Sequence, residues 1–433
     1  MEDAESTHIV LSVLKAEMKI ALVMPKSTFI DDPMIFQPLG LFYLSSRLES
    51  LGHSTEFFDL NEDELPADVY DQIWVSATSP QMMEIKRIGK TLSTYKAKSV
   101  LGGASVWAHP EGCKDLGYDL IVGGEADSPD NIQKVIDTVS GYLFLPVSKT
   151  LDWALPPTRR WSKRYHSYLT DFEGNKRPCT TMFTSRGCPM ECAFCESGRH
   201  GIIWDRLTRY EPLDVVEAQI KECHDLGYRA LAYYDDILPL NKKRMYEILE
   251  LHKKYGMVWR CFLRSDIINN QGGFEYLKAM RDGGLVEIFV GVESADNRIK
   301  EGITKKTTIE QDQNIVNWCK ELGIKCKLSF IFGLPGESQD SMETTRRWIL
   351  SQDPTGLRIQ IGRLIPFTGT PLTKSPENYD LKYETQIDDE WFYRGKMDLD
   401  SHSFTSTSNL TVEEIDTFWR NFEKELDERG YQK

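Results

Sequence analysis

The chain has 433 residues, 40% hydrophobic and 27% charged, which suits a folded protein of two or three domains and excludes disorder as the main state. Against 66 Asp and Glu stand 52 Lys and Arg, a formal charge of −14 that disfavours nucleic acid as the main partner. No run of about 18 apolar residues suggests a transmembrane helix. Residues 1–14, with Glu2, Asp3 and Glu5, lack the basic start and apolar core of a secretory signal, so no membrane association and a cytoplasmic location are expected.

Residues 19–24 (Lys-Ile-Ala-Leu-Val-Met) are a short apolar run ending at Pro25, the pattern of a buried strand. Pro38 opens an amphipathic helix in which Leu39, Leu41, Phe42, Leu44, Leu48 and Leu51 recur at helical spacing before Gly52. Further strands are predicted at 54–60, 73–77, 99–101 and 120–122, with a helix near 84–95. This alternation implies an α/β fold, a doubly wound parallel sheet over residues 1–140. Such a sheet takes ligands beyond the carboxyl ends of its strands, here the loops 25–37, 76–81, 102–107 and 123–128. Ser76, Thr78, Gly102, Gly103, Gly123 and Gly124 suit close backbone approach there, and Trp107 offers an apolar wall. Plain turns and core packing are the alternative for the same residues.

From residue 129 the composition changes, and a connector is placed at 141–178. It holds Pro146, Pro156, Pro157 and the basic stretch Arg159, Arg160, Lys163, Arg164, read as solvated surface or a domain contact. A second periodic region, 179–371, shows strand candidates at 180–184, 230–234, 258–263, 287–292, 325–332 and 356–362. Helices are predicted between them at 213–226, 242–255, 274–282, 308–322 and 339–350, ending at Gly227, Gly256, Gly283 and Gly323. Six β/α units are too few for a closed eight-stranded barrel, so a partial barrel is expected, with its site at the strands' carboxyl ends. The tail, 372–433, is polar apart from Trp391, Phe392 and Tyr393. It ends in a helix over 412–429 with Thr411 as N-cap and Glu414 three residues on.

Nine cysteines are present, an odd number that argues against a disulfide framework. Cys188, Cys192 and Cys195 form C-x3-C-x2-C in the segment Thr184-Ser-Arg-Gly-Cys-Pro-Met-Glu-Cys-Ala-Phe-Cys-Glu-Ser-Gly-Arg199, just after the first strand of the partial barrel. Three thiolates on a tight loop suit an iron–sulfur cluster, and with no fourth cysteine in the loop one iron stays open to another ligand. Zinc is the alternative, with His200 within sequence reach as a fourth ligand.

This loop resembles the signature of the radical S-adenosylmethionine (SAM) enzymes, and the resemblance extends over residues 19–371. Pro38-Leu-Gly-Leu-Phe-Tyr-Leu44 with Leu51-Gly-His53 is similar to the start of the cobalamin-binding domain of one subclass. Gly102-Gly103 and Gly123-Gly-Glu-Ala-Asp127 fall where that subclass has glycine-rich turns. Asp235-Asp236, Arg264, Gly291-Val-Glu-Ser294, Gly333-Leu-Pro-Gly-Glu337 and Pro366-Phe-Thr-Gly-Thr-Pro371 follow as ordered landmarks. The resemblance implies a [4Fe-4S] cluster on the three cysteines, SAM chelating the open iron, and cobalamin on the first domain.

It also implies roles. Arg264 pairs with the SAM carboxylate, or forms a rim salt bridge. Glu293 accepts from the ribose hydroxyls, or caps the next helix. Gly333 and Pro335 let backbone pass beside the adenine, or make a tight turn. Asp235 and Asp236 orient the ammonium, or cap a helix, and Phe194 lies in the loop beside the third cysteine. No Asp-x-His motif is present, so a histidine lower ligand to cobalt is not expected by that route, and a first domain that binds no corrin is an alternative.

The implied reaction is cobalamin-dependent methylation of an unactivated carbon of a small molecule or peptide. One SAM supplies the methyl group, and a second yields the 5′-deoxyadenosyl radical. Flavodoxin or ferredoxin would supply electrons. Radical cyclisation, rearrangement or transfer of another SAM fragment is the runner-up, and a non-catalytic iron–sulfur or corrin carrier is the reading from another class. Trp391, Phe392, Tyr393, Trp204 and Tyr233 are candidate pocket walls or core. The substrate and C-terminal lid role is assigned to 372–433.

Overall fold

In the first strand, β1 (Lys19–Met24), four consecutive residues, Ile20 to Val23, are wholly buried. Alternate side chains enter different cores: Ile20 and Leu22 pack on one face of the sheet, Ala21 and Val23 on the other. A strand covered on both faces belongs in a doubly wound sheet. The computed structural model of the chain describes residues 17–28, 30–108, 110–197, 207–384 and 403–432.

Around β1 lie α1 (Leu39–Ser50), β2 (Ser54–Asp59), β3 (Gln72–Ser76), α2 (Met82–Leu92), β4 (Lys98–Gly102), α3 (Ala104–Ala108), β5 (Leu120–Gly123), α4 (Pro129–Asp137) and β6 (Gly141–Phe144). All six strands are parallel, in the order β2-β1-β3-β4-β5-β6. Apolar residues of α1 and α4 enter one core, and those of α2 and α3 the opposite one. The elements α4 and β6 were not predicted. In β6 three of four residues are exposed, so this edge strand lacks the apolar run that marked the others.

The chain then crosses to a second sheet. The stretch from Pro146 has no long element, and Arg159 in it is buried, donating to the Thr181 carbonyl at 2.8 Å. Of the two readings of the basic stretch, Arg159 makes the domain contact. The second sheet comprises β7 (Tyr168–Thr170), β8 (Lys176–Met182), and then, past the small ribbon β9 (Ser185–Arg186) and β10 (Arg209–Tyr210), alternating units. These are α5 (Leu213–Asp225), β11 (Ala230–Tyr233), α6 (Lys242–Tyr255), β12 (Val258–Leu263), α7 (Ser265–Asn270), α8 (Gly273–Asp282), β13 (Leu285–Glu293), α9 (Asn297–Gly302), α10 (Ile309–Leu322), β14 (Lys325–Phe332), α11 (Gln339–Leu350) and β15 (Leu357–Arg363).

The order is β15-β14-β13-β12-β11-β8-β7, parallel except for the antiparallel β7 edge. Six parallel strands with unjoined edges form the expected partial barrel. The first barrel strand, expected at 180–184, runs 176–182 instead. Thr184 leaves the ladder because its N–H and hydroxyl turn to Asp235. Gly227, Gly256 and Gly323 take positive φ at helix ends as expected, whereas Gly283 does not; its neighbour Gly284 does, at +97°.

After α12 (Pro371–Lys374) and a short ribbon of β16 (Lys382–Tyr383) and β17 (Thr405–Ser406), helix α13 (Val412–Glu428) covers the β15 edge. Its capping box is Thr411 with Glu414, Trp419 donates to the Ile361 carbonyl at 3.2 Å, and Asp416 pairs with Arg363 at 2.8 Å. Among the described residues no helix is long and apolar enough to cross a membrane. Trp204, Trp391, Phe392, Tyr393 and His200 lie outside the described residues.

Candidate active site between the two sheets

The carboxyl ends of both sheets border one cavity of about 450 Å³. On the first domain its wall includes Ser76, Gly102, Gly103, Trp107 and Gly124, and it runs inward past Trp74, Val100 and Val122. On the second its wall includes Phe183, Arg186, Gly187, Glu196, Tyr234 and Asp236. A volume of this size with mostly apolar walls and few polar groups is that of a ligand site.

Thr78 and Gly123 do not line the cavity. Thr78 is exposed and its N–H is held by Gln81 at 3.0 Å, while a Cβ on Gly123 would meet the Tyr142 and Phe144 rings. Loop 25–37 docks instead on the second sheet, Gln37 donating to Thr180 Oγ1 at 2.7 Å. Two glycines are required by the rim. Gly103 has φ +100°, and a Cβ there would stand 2.5 Å from the Ala77 carbonyl oxygen; at Gly124, φ +116°, it would stand 2.4 Å from that of Leu145. Trp107 packs edge-on against Phe144.

Between β9 and β10 the chain carries the three cysteines. Cys188 and Cys192 are buried and Cys195 partly so. Burial, with a smaller contribution from the neighbouring Cys192, pushes the Cys188 thiol up to about 11 and Cys195 to about 12. The three sulfurs therefore share one electrostatic environment. Positive groups stand beside them: Arg264 Nη1 is 3.2 Å from Cys192 Sγ, and the ammonium of buried Lys305 also acts on Cys192. Without metal Cys188 and Cys195 stay protonated, because buried thiolates there would repel one another; with adjacent cations the three groups form a donor set that ionises once metal is bound. Among the described residues no three His, Cys, Asp or Glu side chains converge as ligands of one ion do. A polynuclear cluster holds its cysteines at separate corners.

Arg264 also directs its fork at Asp266, at 3.1 and 3.0 Å, and donates to the Lys305 carbonyl. Glu293 stands at the end of β13 with φ +67°, a strained conformation for a non-glycine residue, and its Oε1 is 2.8 Å from Lys305 Nζ. Asp235 is buried away from the cavity. It accepts from the Thr184 N–H at 3.1 Å, the Thr184 hydroxyl at 2.8 Å and the Ser185 hydroxyl, and burial raises its pKa to about 6. Asp236 faces the cavity, its pKa raised by burial and opposed by hydrogen bonds from Ser197 and the Gly187 N–H. Those two donors flank Cys188 and Cys195.

Gly333, φ +82°, and buried Pro335 form a turn after β14 whose N–H groups at 333 and 334 donate to Glu337 at 2.7 and 3.1 Å. Leu334 of this turn packs in one cluster with Ala193 and Phe194 of the cysteine loop.

With this geometry, residues 182–349 match the model of the Radical SAM superfamily. The chain carries a radical SAM domain. The radical SAM domain and its preceding sheet together resemble known proteins over most of their length. An uncharacterized methyltransferase of Pyrococcus horikoshii is 27% identical over 392 residues, 82% of each chain. The anaerobic magnesium-protoporphyrin IX monomethyl ester cyclase of Rubrivivax gelatinosus is 25% identical over 367 residues, 73% of this chain and 62% of the relative. Among solved structures, the radical S-adenosylmethionine methyltransferase TsrM of Kitasatospora setae, with cobalamin and a [4Fe-4S] cluster bound, shares the fold. Its TM-score is 0.64 at 15% identity, over 86% of this chain and 82% of that one.

Several residues of the radical SAM domain's surroundings escaped the sequence reading. Lys305 comes twelve residues after Glu293 in an unremarkable Lys-Lys pair, and only the fold of β13, α9 and the following turn brings it to Glu293 and the cysteines. Glu125, Asp127 and Arg186 were noticed only as parts of motifs; the structure joins them across the domain boundary.

Proposed function

We propose that this radical SAM enzyme is cobalamin-dependent and methylates an unactivated carbon of a small molecule or peptide. The observation that carries the reading is the single cavity shared by the ligand rim of the first sheet and the cysteine loop of the second. When bound, the cluster with SAM supplies a 5′-deoxyadenosyl radical and cobalamin supplies a methyl carrier.

The chain's own residues would act as follows. Cys188, Cys192 and Cys195 hold the cluster and leave one iron for SAM. Arg264 and Lys305 balance the thiolate charge, and the same cations attract the SAM carboxylate. Glu293, held by Lys305, faces a ribose. The turn at Gly333 to Pro335 borders the adenine, and Phe194 packs beside it. Asp236 fixes both ends of the thiol-bearing segment, and its carboxylate and that of Glu196 are open to the cavity. Ser76, Gly102, Gly103, Trp107 and Gly124 form the rim for the corrin, where two glycine backbones leave no room even for a Cβ. No histidine lines the cavity among the described residues, so a histidine lower ligand to cobalt is not part of this reading. Enclosure between two sheets excludes water from a reactive intermediate. A flavodoxin or ferredoxin delivers the electron.

Anaerobic purification with iron, sulfide and cobalt quantified, and an optical titration with hydroxocobalamin, tests the cofactors. Four irons per chain, lost in Cys188→Ser, Cys192→Ser or Cys195→Ser, and one tight corrin are expected. A colourless protein with intact thiols would overturn the cluster, and an unchanged corrin spectrum would overturn the first domain's role. Labelled methyl from SAM recovered in product supports transfer. The likeness to a cyclase favours radical cyclisation as the second reading, which predicts 5′-deoxyadenosine without transferred label.

A further inference from the structure

The segment 187–208, which holds the three cysteines, is closed at its base by the ribbon of β9 and β10, where Arg186 is the register partner of Arg209. Two cations at paired ribbon positions repel and by themselves would splay the base of the loop. Both turn to one carboxylate from the first domain. Glu125 accepts from Arg209 Nη1 at 2.6 Å and Nη2 at 2.8 Å, and from Arg186 Nη1 at 3.2 Å. Asp127 accepts from both terminal nitrogens of the same Arg186, Nη1 at 3.0 Å and Nη2 at 2.7 Å.

The Arg209 and Glu125 side chains are 3% and 5% exposed, so removing one partner strands a buried charge, while Arg186 and Asp127 border the cavity. Further contacts fix this cluster from the first domain. The Arg186 guanidinium lies over the Tyr43 ring at 5.2 Å, and the Tyr43 hydroxyl donates at 2.8 Å to Glu211, the residue after β10. The main chain at Asp127 is held by Arg47 Nε at 2.9 Å. The acids of the Gly123-Gly-Glu-Ala-Asp127 turn are thus engaged by arginines of the other domain, although the turn sits where a ligand-binding turn was expected.

We propose that Glu125 and Asp127 are positioning residues that clasp the base of the cysteine loop, so that the ligand rim of the first domain sets where the three thiols stand. The inference rests on the functional reading above only in taking those thiols as cluster ligands.

Hydrogen exchange on the full-length protein, before any reconstitution, tests it with Glu125→Gln, Asp127→Asn and the charge-preserving Glu125→Asp. Peptides covering 185–197 should exchange at least tenfold faster in Glu125→Gln and severalfold faster in Asp127→Asn. Peptides from 19–24 and 242–255 should be unchanged, and Glu125→Asp should recover part of the protection. After anaerobic reconstitution, Glu125→Gln should still take up iron but show an altered resonance spectrum of the reduced, SAM-bound cluster. Adding Arg209→Gln should soften the exchange defect of Glu125→Gln by removing the stranded charge. Wild-type exchange across 185–197 in both neutralised variants, or a rise spread evenly over the chain, overturns the proposal. Lack of iron in the wild-type protein would sink the cluster reading while leaving the exchange result to decide the clasp.

Discussion

Replacing Gly103 with alanine is a severe test of the cavity rim. The added Cβ would stand 2.5 Å from the carbonyl oxygen and 2.7 Å from the nitrogen of Ala77, and 2.9 Å from Ser76 Oγ, at a backbone φ of +100°. Two of these three atoms are backbone, so loops 76–78 and 102–104 must part by several tenths of an ångström. A left-handed non-glycine residue costs about 1–3 kcal/mol and overpacking about as much again, together about 2–6 kcal/mol. In a domain of this size that is a fall of roughly 5–15 °C in the first domain's thermal transition. Calorimetry should find it, and hydroxocobalamin affinity should fall with it, because the two loops that move are the ones lining the cavity. Gly40→Ala, which also borders the cavity, is the control for stability alone. Nothing lies within 4 Å of its Cβ and it sits in helix α1, so its stability should hold or rise by about 0.5–1 kcal/mol. A Gly103→Ala protein that melts like wild type and binds corrin equally well would refute both the packing argument and the assignment of the rim.

Other outcomes follow from particular contacts. Lys300 and Asp312 are an ion pair with both side chains wholly buried; Lys300→Met should cost about 3–5 kcal/mol in denaturant unfolding, and the double variant Lys300→Met with Asp312→Leu should recover much of it. Buried His252, against Tyr233, has its pKa lowered by burial to about 3. The native state therefore refuses a proton that the unfolded chain takes up below about 6.5, and stability should fall by about 1.4 kcal/mol per pH unit as the pH drops from there toward 3. His252→Leu should flatten that acid limb; an unchanged slope would count against it. Arg264→Lys keeps the charge but loses the fork that joins Asp266 to the Cys192 sulfur, and should, by letting that charge drift from the cysteine loop, weaken binding of a non-cleavable SAM analogue tenfold or more in equilibrium dialysis while iron content is retained. Thr411→Ala removes the N-cap of the helix covering the β15 edge and should cost about 1 kcal/mol.

The elements legible in the sequence were those whose burial repeats at a fixed period. Strand β1 and helix α1 were plain because one is apolar along its length and the other along one face. Helix α4 and strand β6 were not, because proline, asparagine and an exposed edge dilute the pattern. The short helices α7 and α9 are six residues each, too brief to show a period, yet they lead away from Arg264 and follow Glu293.

The site divides along the same line. The cysteine spacing lies within eight residues of chain, and local covalent reach alone makes it a metal-binding loop, so one sequence sufficed to find it. The landmarks after each barrel strand could likewise be read in order. Their interactions could not. That Arg264 touches a thiol, that Lys305 meets Glu293, that Asp235 ties two strands together while Asp236 faces the cavity, and that Glu125 reaches Arg186 and Arg209 are long-range contacts. Charge pairs across 61 and 84 residues carry no periodicity and leave no local trace. Only the docking of one sheet's carboxyl edge against the other's brings these pairs to 3.2 and 2.6 Å, because a charge buried there is stabilised by an opposite charge from the other domain.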